Sequence, residues 1–291
     1  MVAMRILITG GTGQLGRSLV RALASHDVRA LGRKDVDVTD AASVADAVAQ
    51  YAPTAVIHAA ALTDTGRCER EPAVARAVNG IGAENVAKAC RRGGARLVAI
   101  STNEVYDGTK MAAYIESDAT GPLNAYAISK LDGEWLAAAA CPDTTIVRTS
   151  WLYGRGVNNF VEKVKAAAAS RRPLSFVTDE ISTPTSTDDL AVAIRELIEC
   201  HAPAGVYHLT NTGEASRYDW AVEILRLAGL GDVIVEPVTT TELTARGYQG
   251  PRKPPYSVLA NNRGAALGIT LRPWADALAA YFERAQIAAD A

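Results

Sequence analysis

What the 291-residue chain lacks removes several classes of function before any motif is considered. It has no excess of charge: 30 Lys and Arg stand against 32 Asp and Glu, a net charge of -2. Such a balance gives no footing for non-specific binding to nucleic acid or to a membrane surface. No apolar run reaches the roughly 18 residues that a bilayer-spanning helix needs. The start of the chain enters a strand-like apolar run at once and lacks the layout of a signal peptide. The four cysteines, Cys68, Cys90, Cys141 and Cys200, are scattered without a C-x-x-C pair. They read as inert thiols of a reducing compartment, and the expected location is the cytoplasm. No set of His, Cys, Asp or Glu has metal-ligand spacing, so no metal site is assigned, although scattered carboxylates could hold Mg²⁺. Internal repeats and low-complexity linkers are missing too. The remaining composition, 48% hydrophobic and 21% charged, is that of a globular protein able to bury a full core.

What is present begins with Arg5-Ile6-Leu7-Ile8-Thr9, a short apolar run that suits a buried parallel strand. Gly10-Gly11-Thr12-Gly13-Gln14-Leu15-Gly16 follows, and then a helical pattern with Leu15, Leu19, Val20 and Leu23 on one side. Glycines between a strand and a helix allow a tight turn and close approach of backbone to a pyrophosphate. The last of them lets the helix pack tightly. The helix N-terminus then offers unpaired N–H groups to the phosphates. This predicts a dinucleotide site.

The second strand is expected over Val28–Leu31, followed by Gly32-Arg33-Lys34. An acidic residue at this place would meet the adenosine ribose of NAD. Two cations suit a 2′-phosphate instead, which favours NADPH, while Asp35 keeps NADH open. Asp37 is placed to meet the adenine edge, and Asp40 to cap a helix over 41–50. Thr54–His58 reads as a third strand, and Ala59-Ala60-Ala61 after it leaves room for a flat ring against backbone. A helix is expected over 71–92, then a strand over 97–100. Further on come a helix ending near Ala140 and a strand over 144–148. This alternation argues for an α/β, doubly wound parallel sheet of Rossmann type.

Beyond residue 150 the alternation loosens. Helices are expected to Ala169, over 187–200, over 218–227 and over 274–284, with strands at 174–177 and 206–209. The division expected is a dinucleotide-binding domain over 1–152, joined by about 185–210. A smaller, interleaved α/β substrate lobe takes 153–184 and 211–291. His58 and His208 read as packed structural residues, and His26 and His201 as loop or helix-end residues. Arg91-Arg92 and Arg171-Arg172 follow helices, where cations suit the dipole, and receive no function.

The chemistry is expected between Ser101 and Lys130. Ser101-Thr102-Asn103-Glu104 ends a strand, and Tyr126 and Lys130 are four residues apart, about 6 Å along one helix face. Thr102 can donate a hydrogen bond to a carbonyl oxygen that gains negative charge, and Tyr126 can protonate it. A free phenol is too weak an acid for neutral pH. Lowering it by about three units needs roughly 4 kcal/mol, for which Lys130 is a source.

Thr9-Gly10-x-x-Gly13-x-x-Gly16, Ser101-Thr102 and Tyr126-x-x-x-Lys130 together resemble the extended short-chain dehydrogenase/reductase family. Within it the chain is most similar to the dTDP-4-dehydrorhamnose reductase group. That likeness rests on Asp37-Val38-Thr39-Asp40, Val105-Tyr106-Asp107-Gly108, Tyr114-x-Glu116-x-Asp118 and Pro122–Tyr126. It continues through Arg148–Gly154, Asn158-Asn159-Phe160, Pro184-Thr185 and Tyr256–Leu259. The resemblance implies NADPH-dependent reduction of the 4-keto group of a dTDP-linked 6-deoxy sugar, with homodimerisation left open. It implies Thr102, Tyr126 and Lys130 as catalytic residues. Gly10, Gly13, Gln14, Leu15, Gly16, Arg33, Asp37, Val38, Ala60, Ala61 and Thr63, with Tyr126 and Lys130, would line the cofactor. Asn103, Glu104, Trp151, Asn159 and Lys253 would face the nucleotide sugar, and Lys253 with Arg252 could clamp a diphosphate.

The sequence also departs from that group. Asn103 and Glu104 replace the usual aspartate and tyrosine, Gly66 an aspartate, Glu180 a glutamine, Ser182 a glycine and Lys253 an arginine. Thr102-Asn103-Glu104 invites comparison with nucleotide-sugar 4,6-dehydratases, which use Thr-Asp-Glu there. Asn103, however, cannot protonate a leaving hydroxyl. Other 4-ketoreductase or epimerase-type activities stay open. So does a non-catalytic regulatory role, since the beta subunit of methionine adenosyltransferase resembles these reductases.

Overall fold

A computed structural model of the chain describes residues 3–156, 159–170 and 173–289. Asn158 of the amide-rich stretch and the Arg171-Arg172 pair lie outside the described residues. Six parallel strands form the central sheet: β1 (Arg5–Thr9), β2 (Asp27–Leu31), β3 (Ala55–His58), β4 (Arg96–Thr102), β5 (Thr145–Thr149) and β6 (Gly205–His208). Their spatial order is β6-β5-β4-β3-β1-β2. The order reverses between β1 and β3, and a crevice opens at the carboxyl ends of strands at such a reversal.

Alternate residues of these strands supply two separate cores, as the pleat requires. Ile6, Ile8, Ile57, Val98 and Val147 pack on one face with α1 (Gln14–Ala22) and a later helix, Thr187–Glu199. Leu7, Val56, Leu97 and Ala99 pack on the other with α2 (Ala41–Tyr51), α3 (Gly82–Gly93) and α4 (Ala125–Ala140). Val20, expected on the inner side of α1, is 39% exposed, because Leu15, Leu19 and Leu23 already fill that face. Asp40 caps α2 as expected, accepting from the N–H of Ala42 at 2.9 Å.

Between β3 and β4 the chain departs from the single helix expected over 71–92. A short helix, Thr65–Arg70, precedes Pro72–Ala75, which runs through a π turn, Arg76–Ile81, into α3. Such turns insert one residue into the helical ladder and are frequent beside functional sites. Asn79 within it is fully buried. Its amide brackets Leu62, accepting from the N–H at 2.7 Å and donating to the carbonyl at 3.0 Å, and reaches Ser129 of α4 at 2.9 Å. The π turn thereby fixes the loop after β3 against α4.

A third core gathers Tyr153, Val161, Val164, Trp220, Ile224 and Leu278. It is built by α5 (Phe160–Ala168), α7 (Arg217–Leu227) and α8 (Trp274–Ala289), while α6 (Thr187–Glu199) returns to the main sheet. Leu174–Val177 pairs with a strand that no periodicity announced, Val235–Val238. His58 and His208 are buried and structural. His58 Nδ1 lies 2.7 Å from the Thr9 hydroxyl, and His208 Nε2 lies 2.8 Å from the Tyr106 hydroxyl. Cys68, Cys90 and Cys141 are buried free thiols, and Cys200 is an exposed one. Among the described residues no helix is long and apolar enough to cross a membrane.

Candidate active site

The glycine turn after β1 is shaped by contacts that admit no side chain. Gly10 has φ +73°, and a Cβ there would lie 2.6 Å from the N of Ala60. A Cβ on Gly16 would lie 2.4 Å from the carbonyl oxygen of Gly10. Gly16 thus presses α1 onto the turn itself, leaving the first N–H groups of the helix facing the crevice. Gln14 donates to the carbonyl of Leu152 at 3.1 Å, while its Oε1 is buried with no partner among the described residues. A cradle that a Cβ would fill, with an unsatisfied acceptor beside it, fits a dinucleotide. The Leu15 side chain, expected to line the cofactor, lies in the core instead, as does that of Val38, which packs on Gly82. Ala60 and Ala61 are half-buried and Thr63 is exposed on the loop after β3.

At the end of β2 the two charge signs separate. Asp35 turns back, its carboxylate accepting from the N–H of Gly32 at 2.7 Å, whereas Arg33 is exposed. Asp37 is also exposed; the Thr39 hydroxyl and N–H donate to it at 2.8 and 2.9 Å and hold its carboxyl below the usual range.

Thr102 ends β4, two residues beyond the strand expected over 97–100. The Thr102 hydroxyl, at the end of β4, is set beside the Tyr126 phenol of α4 and favours its ionised form. Lys130 is buried one turn below, donating to the carbonyl of Ile100 at 2.7 Å. The expected electrostatics need correction. Burial pushes the Tyr126 phenol up, the Glu104 carboxylate adds to that, and only the Thr102 hydroxyl opposes it. Lys130 spends its ammonium on a backbone carbonyl, and burial brings it down to about 8 against the charge of Glu134.

Beneath these residues lies a buried polar network. Ser101 donates to Glu134, Arg148 pairs with Glu134 at 2.6 Å, and Arg148 donates to the Tyr106 hydroxyl at 2.6 Å. It joins β4, β5 and α4 under the reacting end of the sheet. Among the described residues no group of three or more His, Cys, Asp or Glu converges to hold a metal, so the opening left for Mg²⁺ gains no support.

The model of the RmlD substrate binding domain family matches residues 4–287. The chain belongs to this family. It is 42% identical to a dTDP-4-dehydrorhamnose reductase of Streptomyces griseus, covering 96% of this chain and 93% of the relative. It is 40% identical to a dTDP-4-keto-6-deoxy-D-glucose reductase of Streptomyces niveus, covering 96% of each. The solved dTDP-4-dehydrorhamnose reductase of Bacillus anthracis, in complex with NADP, superposes with a TM-score of 0.91 at 36% identity, over 97% of this chain and all of that one.

In this member of the RmlD family the residues expected to face a sugar divide into two groups. Asn103 is 2% exposed, its amide donating to Ser182 Oγ at 3.0 Å and Ser257 Oγ at 2.7 Å. It ties the turn after β4 to the Ser182 and Ser257 segments, which take up its amide N–H groups. Asn159 is likewise a structural cap: its side chain accepts from the N–H of Glu162 at the start of α5 and donates to the carbonyl of Gly154 at 2.7 Å. Lys253, expected to clamp a diphosphate, is paired with both oxygens of Glu104 at 2.8 Å. Trp151 is half-buried with φ +42°, its ring stacked on Trp220 and under the guanidinium of Arg217, 3.6 Å from the ring centroid. Positive φ in a bulky residue is costly and is held only where packing enforces it. Arg217 was not visible as a site residue. Its one sequence signal is a cation at the start of a helix, where the dipole disfavours it.

Proposed function

We propose that the chain reduces the 4-keto group of a dTDP-linked 6-deoxy sugar with NADPH, as a dTDP-4-dehydrorhamnose reductase of dTDP-L-rhamnose synthesis. The observation that carries this reading is the buried Tyr126 phenol with the Thr102 hydroxyl beside it, on a sheet whose first turn makes the tight Gly10–Ala60 cradle. NADPH, when bound, supplies the hydride. Thr102 then steadies the oxygen on which charge develops, and Tyr126 delivers the proton to it. Lys130 holds the end of β4 through the carbonyl of Ile100, one helical turn from Tyr126. Exposed Arg33, with Asp35 turned into its own loop, supports the phosphorylated cofactor over NADH. Trp151 and Arg217 offer a flat face and a cation to the nucleotide sugar. The names of relatives at 42% and 40% identity differ in the keto sugar reduced, so assay decides between sugars.

The test is loss of NADPH absorbance with dTDP-4-keto-6-deoxy-L-mannose and, in parallel, with dTDP-4-keto-6-deoxy-D-glucose. Turnover of the first is expected; turnover of the second alone would keep the chemistry and reject the sugar. Tyr126→Phe is expected to lower kcat by about 10²–10⁴ while NADPH still binds, the usual weight of a general acid. Unchanged turnover in that variant would remove Tyr126 from the reaction. Tight NADPH binding with no turnover of either sugar would favour the regulatory reading.

A further inference from the structure

The carboxylate of Glu104, in the turn after β4, is held from several sides. Both its oxygens lie 2.8 Å from Nζ of Lys253. Nδ2 of Asn124 donates to Oε2 at 2.9 Å and to the carbonyl of Arg252, also at 2.9 Å. Asn124 is the N-cap of α4, accepting from the N–H of Ala127. The N–H of Glu104 donates to the Thr102 hydroxyl at 3.2 Å. The Glu104 side chain therefore touches the start of the helix that carries Tyr126 and the 252–253 segment, while its backbone N–H touches the Thr102 hydroxyl. The pair is mostly withdrawn from water, with 12% of the Glu104 side chain and 19% of Lys253 exposed.

We propose that Glu104 and Lys253 form a positioning pair that sets the charge at the catalytic phenol, Glu104 as the anion Tyr126 faces and Lys253 as the cation that balances it. This rests on Tyr126 being the proton donor. The groups facing the phenol are the Thr102 hydroxyl from β4, Glu104 from the turn after it, and Cys68 from the helix Thr65–Arg70, with Lys130 on its own helix. Those facing Glu104 are Lys253, Asn124 and, from the first turn of α7, Arg217. Among the charged groups named, Glu104 and Lys253 can be changed without touching Lys130 or the stack of Arg217 on Trp151. Removing the anion makes a phenolate easier to form. Removing the cation leaves that anion unbalanced and makes it harder.

The test needs no sugar. Enzyme carrying 13Cζ-tyrosine and saturated with NADP⁺ is titrated by NMR, with the Tyr126 signal identified from its loss in Tyr126→Phe. The expected order of midpoints is Glu104→Gln lowest, wild type between, and Lys253→Met highest or beyond the accessible range, each step at least half a pH unit. In sugar reduction, the alkaline limb of kcat/KM is expected to move in the same two directions. Equal midpoints, or shifts of both variants in one direction, would overturn the pair as a charge-setting device. A purely structural role would move neither midpoint in a signed way. Should Glu104→Gln fail to fold, Lys253→Met alone carries the test, since no upward shift there is equally decisive. A failed sugar assay leaves this titration unaffected, so the two readings fail separately.

Discussion

Arg33 and Asp35 sit two residues apart after β2 and do opposite things. The carboxylate is consumed by the N–H of Gly32 at 2.7 Å, and the guanidinium is left at the surface. A planar fork of donors in that position matches a 2′-phosphate and has nothing to gain from a ribose hydroxyl. Arg33→Ala is therefore expected to raise KM for NADPH about tenfold, equivalent to about 1.4 kcal/mol, with KM for NADH nearly unchanged. Equal changes for both cofactors would mean that Arg33 shapes the loop and does not select. Tyr126 and Lys130 were legible from sequence because their relation is local, one helical turn, whereas Asp35, read as keeping NADH open, turns back onto Gly32. Asn103 and Lys253 were not legible. The partners that turn them from ligands into structural ties include Ser182, Ser257 and Glu104, up to 154 residues away. An amide's spacing carries no record of such partners.

The helix α4 is the element on which the site depends, and its placement rests on a contact no periodicity reveals. A Cβ on Gly133 would lie 2.2 Å from the carbonyl oxygen of Asn79 in the π turn. Gly133→Ala gains up to about 1 kcal/mol in helix propensity. Overpacking against a fixed backbone costs about 1–3 kcal/mol, and here the struck atom is main chain and cannot rotate away. The expected net is a loss of up to about 2 kcal/mol, read as a lower urea midpoint at unchanged m-value. A gain in stability would show that the π turn yields. The six strands and most helices were readable because alternating and helical burial leave periods of 2 and 3.6. The π turn was not, because it breaks that period at Arg76–Ile81, and the single helix expected over 71–92 smoothed across it.

For the molecule as a whole, two buried imidazoles set the response to acid. Burial brings His58 down to about 3, with the charge of Lys130 acting the same way. Burial also brings His208 down to about 4; Arg148 adds to that and Glu116 opposes it. In the unfolded chain both titrate near 6.5. Between those values and 6.5 the unfolded chain binds protons that the folded one does not, so stability falls as pH drops. Each contributes a slope approaching about 1.4 kcal/mol per pH unit, and both act together from about pH 6 to the folded value of His208. The two lie on either side of β4 along the sheet's carboxyl edge. His58 is under the cofactor cradle on β3 and His208 is on the outer strand β6, joined to Arg148 and Glu134 through Tyr106. Protonation on either side therefore strains the edge that carries Thr102. Tm is expected to be flat near neutrality and to drop steadily from pH 6.5 to 5. The drop should be shallower in His58→Gln and His208→Gln and shallowest in the double variant. A flat Tm across that window in the wild type would mean that both imidazoles accept a proton without leaving their pockets, against the burial that holds them neutral.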